Sequence, residues 1–161
     1  MKYEGEFRLG EYEGEGTFHW SKNERYTGQW RNHNINGKGT YWYADGSVYT
    51  GFWKDNTRHG QGEYKTADGY SYCGSYRDDK KHGTGTEAFG EGVKIKKYTG
   101  EFKNDYRNGK GTLIFSNDHV YEGDFINGSR EGHGSIIDTN GEVYTGLWRD
   151  GKKHGQGTRT L

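Results

Sequence analysis

The chain has 161 residues, enough for one domain, with 23 basic residues, 23 acidic residues and 16% aromatic residues. The neutral balance argues against nucleic acid as a partner, because such a groove needs clustered basic residues beside its rings. A single cysteine, Cys73, excludes an internal disulfide, and the sequence has neither an apolar run long enough to span a membrane nor a signal peptide, so we predict an intracellular protein.

A repeat of 23 residues organises the whole chain. A Tyr-x-Gly-x-aromatic motif begins at residues 3, 26, 49, 72, 98, 121 and 144, and a Gly-x-Gly motif begins 11 residues after each tyrosine. Every step is 23 residues except the fourth, which is 26. A fixed period of this length indicates units that pack mainly on their neighbours. We therefore predict one repeat array over residues 1–161.

The sequence of each repeat unit predicts two antiparallel strands, and the third repeat unit is typical. Val48–Trp53 is rich in β-branched and aromatic residues, which favours a strand. Residues 54–59 read as a polar loop, and Gly60–Thr66 reads as the second strand. Asp68-Gly69 then predicts a two-residue type I′ turn into the next unit, as does Asp45-Gly46 one unit earlier. The fold class predicted is all-β, an elongated single-layer antiparallel array of hairpins.

Alternation along the strands places the tyrosine and the second aromatic residue of each unit on one face. Gly62 and Tyr64 share this face, so the rings of Tyr49 and Trp53 are expected to lie across bare glycine backbone. A single sheet has no second layer to cover its rings, and an exposed apolar strip usually marks a partner. We predict a partner-binding groove lined by Tyr26, Trp30, Tyr49, Trp53, Tyr72, Tyr76, Tyr98, Phe102, Tyr121 and Phe125.

The fourth unit carries three additional residues within residues 89–97, which predicts a longer hairpin turn, a bulge or a bend. This segment contains Lys94, Lys96 and Lys97, the candidate contacts for an anionic lipid. The sixth unit has five acidic residues and one basic residue, so it interrupts any continuous basic stripe. A lipid site at these lysines is therefore expected to be local and weak.

Signals for catalysis are poor. The Gly-x-Gly motifs lack the strand-to-helix context of a nucleotide-binding fold. His59, His82 and His154 share one register, but neighbouring units place His59 and His82 about 10 Å apart, too far to bind one metal ion. We expect no enzyme activity, no cofactor and no metal.

Two stretches resemble the MORN repeat (membrane occupation and recognition nexus): Tyr49–Trp53 followed by His59–Gly62, and Tyr144–Trp148 followed by His154–Gly157. The likeness covers nearly the whole chain. It implies a curved, elongated hairpin array whose groove accepts a partner helix in some members. Members serve as scaffolds or as modules attached to enzymes such as lipid kinases. They are associated with membranes and the cytoskeleton, and several form dimers.

Three functional hypotheses follow. The first is a scaffold or adaptor that binds a helix or an extended peptide along the aromatic groove, or that self-associates through it as a homodimer. The second is a module that targets phosphoinositide membranes through basic loops. The third is a regulatory fragment of a larger enzyme. The sequence names neither the partner nor the oligomeric state.

Overall fold

The computed structural model describes all residues from Met1 to Leu161 and contains fourteen β-strands. It has no helix that is long and apolar enough to cross a membrane. The chain forms two compact units, residues 1–80 and residues 81–161. We call these two the first and the second unit, and we call the elements of the 23-residue period repeats. The strands of the first are β1 (Lys2–Arg8), β2 (Glu11–His19), β3 (Arg25–Arg31), β4 (Asn34–Trp42), β5 (Val48–Lys54), β6 (Thr57–Lys65) and β7 (Ser71–Arg77). Those of the second are β8 (Lys80–Ala88), β9 (Ile95–Lys103), β10 (Tyr106–Phe115), β11 (Val120–Ile126), β12 (Ser129–Ile137), β13 (Val143–Arg149) and β14 (Lys152–Thr160).

Each unit is one antiparallel sheet whose strands pair in chain order. In the first unit every strand pairs with the next one along the chain. The second unit repeats this meander. The predicted fold class, an all-β array of antiparallel hairpins, is therefore confirmed. The single domain over residues 1–161 and the curved groove along it stay predictions.

The tight turns lie inside the repeats rather than between them. β5 ends at Lys54 and β6 begins at Thr57, so only Asp55 and Asn56 connect them. Both have positive φ, 45° and 68°, the pattern of a type I′ turn, which Asp and Asn tolerate better than most residues. The prediction of a loop over residues 54–59 is wrong, because Arg58 pairs with Trp53 in the ladder.

The connections between repeats are longer than these turns, and residues 66–70 lie between β6 and β7. The backbone N–H of Thr66 donates to the carbonyl oxygen of Tyr70 (2.9 Å), and that of Gly69 donates to Thr66 (3.3 Å). Gly69 has a φ of 94°, whereas Asp68 has no positive φ. A type I′ turn at Asp68-Gly69 is therefore wrong, since both of its central residues would need positive φ. Instead, this hairpin closes with one left-handed residue, Gly69, whose N–H is bonded to the carbonyl oxygen of Thr66.

The Gly-x-Gly motif makes room for the tyrosine ring, as predicted. Gly51 and Gly62 face each other across β5 and β6. A Cβ atom on Gly62 would lie 2.2 Å from the hydroxyl oxygen of Tyr49 and 2.5 Å from its ring. That hydroxyl donates a hydrogen bond to the carbonyl oxygen of Phe52 (2.9 Å). The ring thus lies flat over bare backbone and is fixed at its far end.

The three additional residues of the fourth repeat lengthen one hairpin connection, as predicted. β8 ends at Ala88 and β9 begins at Ile95, which leaves residues 89–94 outside the strands. The pairing of β9 with β10 also shifts register between Ile114 and Phe115. The segment is held at both ends, because Phe89 donates to Lys96 (3.0 Å) and Ser116 donates to Lys94 (2.9 Å).

Candidate functional site

All ten rings predicted to line the groove are buried. Their exposed fractions are 0–6%: Tyr26, Trp30, Tyr49, Trp53, Tyr72, Tyr76, Tyr98, Phe102, Tyr121 and Phe125. Successive rings meet nearly at right angles, as between Tyr49 and Trp53 (centroids 5.0 Å apart) and between Tyr49 and Tyr76 (5.2 Å). The expectation that a partner reaches these side chains therefore needs correction. They are the core that joins one hairpin to the next.

Basic side chains that were not predicted from the sequence complete this core. The guanidinium of Arg58 lies 5.0 Å from the ring centroid of Tyr76 and 5.8 Å from that of Tyr49. Its Nη2 also donates to the carbonyl oxygen of Asp79 (2.8 Å). Arg107 and Arg130 occupy the same register in the second unit and lie over tyrosine rings there. A basic residue nine positions after each tyrosine from Tyr49 onward was the available signal.

A second row of rings lies on the same face but is only half-buried. This row, which we call the aromatic ladder, comprises Phe18, Trp20, Tyr41, Tyr43 and Tyr64. It shares the face of the buried tyrosines because Tyr41 pairs with both Tyr26 and Tyr49, and Tyr64 pairs with Tyr49. Of the five rings, only Tyr64 was predicted to lie on this face, and none was predicted to bind a partner.

The ladder rings touch in sequence across three hairpins. Phe18 and Trp20 have centroids 4.6 Å apart, and Trp20 stacks on Tyr41 at 5.1 Å. Tyr41 stacks on Tyr43 at 4.4 Å, and Tyr43 meets the edge of Tyr64 at 6.2 Å. The result is a contiguous aromatic surface within residues 1–80. Rings packed against one another in this way are held in fixed positions before any ligand arrives.

The ladder also carries unpaired hydrogen-bond donors. The indole N–H of Trp20 and the hydroxyls of Tyr43 and Tyr64 make no hydrogen bond within the chain, whereas the hydroxyl of Tyr41 donates to Glu24 Oε1 (2.8 Å). Burial raises the pKa of Tyr43 to about 12, so its hydroxyl keeps its proton near neutral pH. Burial and then the carboxylate of Glu24 raise the pKa of Tyr41. The surface is therefore apolar in its rings and donating at its rim.

The corresponding register of the second unit is different. Glu87, Leu113 and Ile136 occupy the positions equivalent to Phe18, Tyr41 and Tyr64. The carboxylate of Glu87 is buried between Lys81 Nζ (2.6 Å) and Arg107 Nε (2.9 Å).

Two rings do recur in the second unit, at the register of Trp20 and Tyr43. They are Phe89 and Phe115, and each has a guanidinium over it, from Arg107 at 5.6 Å and from Arg130 at 5.2 Å. In the first unit the guanidinium of Arg58 lies over Tyr64 at 5.8 Å, whereas the rings from Phe18 to Tyr43 pack on one another without such a cover.

The buried tyrosines predict alkaline unfolding. Burial raises the pKa of Tyr121 to about 12 and raises the pKa of Tyr26 and Tyr49 as well. Since the folded protein favours the neutral phenol, this stabilisation is complete below pH ~10, the ordinary tyrosine pKa, and is lost as pH rises through about 12. We expect absorbance at 295 nm to show buried phenols ionising together with loss of the circular dichroism signal. Ionisation of all 14 tyrosines near pH 10 with the sheet intact would contradict this packing.

Lys94, Lys96 and Lys97 are exposed, as a lipid contact requires. Lys96 Nζ lies 2.5 Å from Asp118 Oδ1, so part of the charge is neutralised within the chain. Val93 beside them is 47% exposed. No group of three or more His, Cys, Asp or Glu side chains is arranged to hold a metal ion.

The regular hairpins, the ring over each glycine pair and the half-exposed ladder define an all-β hairpin-repeat protein. The sequence profile of the MORN repeat matches residues 3–25, 26–48, 49–69, 72–94, 98–120, 121–143 and 144–161. The chain therefore belongs to the MORN-repeat family, whose repeats generally serve as protein- or membrane-interaction modules and are generally non-catalytic. A comparison with curated proteins gave no match.

Proposed function

We propose that this protein is a non-catalytic interaction module that binds a partner protein on the aromatic ladder. The observation that carries the proposal is the contiguous set of half-buried rings from Phe18 to Tyr64, with donors at Trp20, Tyr43 and Tyr64 that no group in the chain satisfies. Aromatic side chains with a polar tip supply large contact area at small entropic cost, which is why they dominate binding hot spots.

The opposite face of the same sheet supplies the contrast. Its strands are joined by pairs of hydroxyls, such as Thr17 with Thr27 (2.9 Å) and Thr40 with Thr50 (3.1 Å). Two large rings lie on this face: Phe52 is 47% exposed, and Trp42 pairs with Val48 and is covered by the guanidinium of Arg25 at 4.0 Å. Separate rings of this kind need no functional explanation, whereas a continuous patch does.

The double variant Trp20→Ser/Tyr43→Ser tests the proposal by affinity capture from cell lysate with quantitative mass spectrometry. We expect loss of a specific protein partner, by about tenfold or more, because two stacked rings and two donors are removed. Phe52→Ser is the matched control, since it removes an exposed ring from the other face of the same unit. Circular dichroism must show that each variant keeps the fold. A partner retained in full by the folded double variant would exclude the ladder as the site.

A second variant, Lys94→Glu/Lys96→Glu/Lys97→Glu, separates the protein-binding function from membrane targeting. We expect it to retain the partner, because these lysines belong to the second unit and not to the ladder. Vesicles containing phosphoinositide should then bind the wild-type chain no better than vesicles of neutral lipid. Loss of the captured protein together with loss of vesicle binding would favour the membrane-targeting alternative.

A further inference from the structure

We propose that the aromatic ladder recognises a proline-rich segment in the polyproline II conformation that carries a basic residue. This inference rests on the proposed function and names the chemistry of its partner. Three features of the first unit support it: the unpaired donors, the spacing of the rings, and the carboxylates in the loops beside them.

The donors favour a ligand whose backbone carbonyls are free. A polyproline II segment has no internal hydrogen bonds, so its carbonyl oxygens accept from whatever donors it meets. The indole N–H of Trp20 and the hydroxyls of Tyr43 and Tyr64 are donors of this kind, and all three belong to the contiguous rings of the ladder. An α-helix satisfies its carbonyls internally, so it could offer these three donors only side-chain acceptors at matching positions.

The ring spacing favours the same ligand. Phe18, Tyr41 and Tyr64 recur once per hairpin, so they are separated by two strand spacings, roughly 9.6 Å. Three residues of polyproline II advance about 9.3 Å and return to the same side of the helix. Seven residues of an α-helix advance about 10.5 Å, which falls out of register by nearly 2 Å over three rings. A β-strand places residues i and i+3 on opposite faces and cannot present both to the ladder.

The carboxylates in the loops beside the ladder indicate that the ligand carries a basic residue. Asp45 and Asp68 lie in the loops that follow the ladder strands, and each carboxylate is bonded within its own turn, to Ser47 and to Thr66. These hydrogen bonds lower the pKa of both carboxyls, so both are charged at neutral pH. Neither forms a direct ion pair within this chain, and Lys22 and Arg25 line the same surface cleft as Asp45. An Arg or Lys side chain at the Tyr64 end of the ligand would complement Asp68.

Selection from a phage-displayed library of random twelve-residue peptides, on the immobilised full chain, tests this inference without choosing the ligand in advance. We expect enriched peptides with prolines spaced three residues apart and an Arg or Lys at one end. Synthetic copies should bind the Trp20→Ser/Tyr43→Ser variant about tenfold or more weakly, and the Phe52→Ser variant unchanged. Asp45→Asn/Asp68→Asn should remove the preference for the basic residue while the proline pattern persists.

Several results would overturn the inference. Enriched peptides that lack proline and form helices, yet depend on Trp20 and Tyr43, would leave the ladder as a binding site but with another occupant. Self-association of the chain that the ladder variant abolishes would make a second copy the occupant. Enrichment that the ladder variant does not affect, or no enrichment at all, would also exclude it. Only ladder-independent binding of the captured protein would remove the proposed function as well.

Discussion

Replacing Glu87 with alanine is expected to destabilise the second unit by about 3–5 kcal/mol. The carboxylate of Glu87 is 5% exposed and lies between Lys81 and Arg107, which are themselves largely buried. Its removal would leave two cations inside the sheet without the anion that balances them. Urea unfolding followed by near-ultraviolet circular dichroism measures the change.

A matched control comes from an exposed ion pair. Glu63 lies 3.0 Å from Lys65 with both side chains largely in solvent, so Glu63→Ala should change stability far less. The triple variant Lys81→Met/Glu87→Leu/Arg107→Met should recover most of the loss, because apolar replacement of a whole buried ionic group is often neutral or better. If Glu87→Ala costs no more than Glu63→Ala, the buried carboxylate does not hold the two cations.

Gly62→Ala is expected to destabilise the first unit by about 3 kcal/mol, at the upper end of overpacking effects. The new Cβ would meet the ring of Tyr49, which is fully buried and has no space to move aside. Displacement of the ring would also break the hydrogen bond from its hydroxyl to Phe52. Gly62 does not have a positive φ, so the effect measures the contact with the ring rather than backbone strain.

Gly46→Ala is the comparison for Gly62→Ala, because Gly46 is needed for its positive φ and Gly62 for the space it leaves to a ring. Gly46 has a φ of 86°, and the nearest neighbour of a Cβ there is Ala67 at an ordinary 3.7 Å. Its replacement should therefore lower the free energy of unfolding by only about 1 kcal/mol, the penalty for an alanine in the left-handed conformation. Equal losses for Gly46→Ala and Gly62→Ala would mean that the ring of Tyr49 is not packed tightly against the glycine pair.

The repeated motif predicted how the buried rings pack on the glycines, but it did not predict the half-buried rings of the ladder. Tyr49 and its equivalents must fit over a glycine pair, and that steric demand recurs in every repeat, so the spacing revealed it. Tyr41 and Tyr64 are half-buried, and the same position holds the buried side chains Glu87 and Leu113 in later repeats. Because this position varies along the chain, the repeat motif predicted the core and not the ladder.

The turns were misassigned for a related reason. Residues 54–59 are all polar, and they hold both the two-residue turn and the first residues of β6. Polarity alone does not distinguish a loop from the solvated end of a hairpin. The Asp55-Asn56 pair carried the better signal, since both residues tolerate the left-handed conformation that a two-residue turn demands. Arg58 lies in the same run, and its assignment to a polar loop gave no sign that its guanidinium packs on the tyrosine rings.

The most direct test of the central claim, that the aromatic ladder is the partner-binding surface, is site-specific photo-crosslinking with p-benzoylphenylalanine in the intact chain. The probe replaces Tyr43 on the ladder in one variant and Phe52 on the opposite face in the other. We expect the captured partner to crosslink to position 43 and not to position 52. Crosslinking from position 52 alone, or equally from both positions, would contradict it.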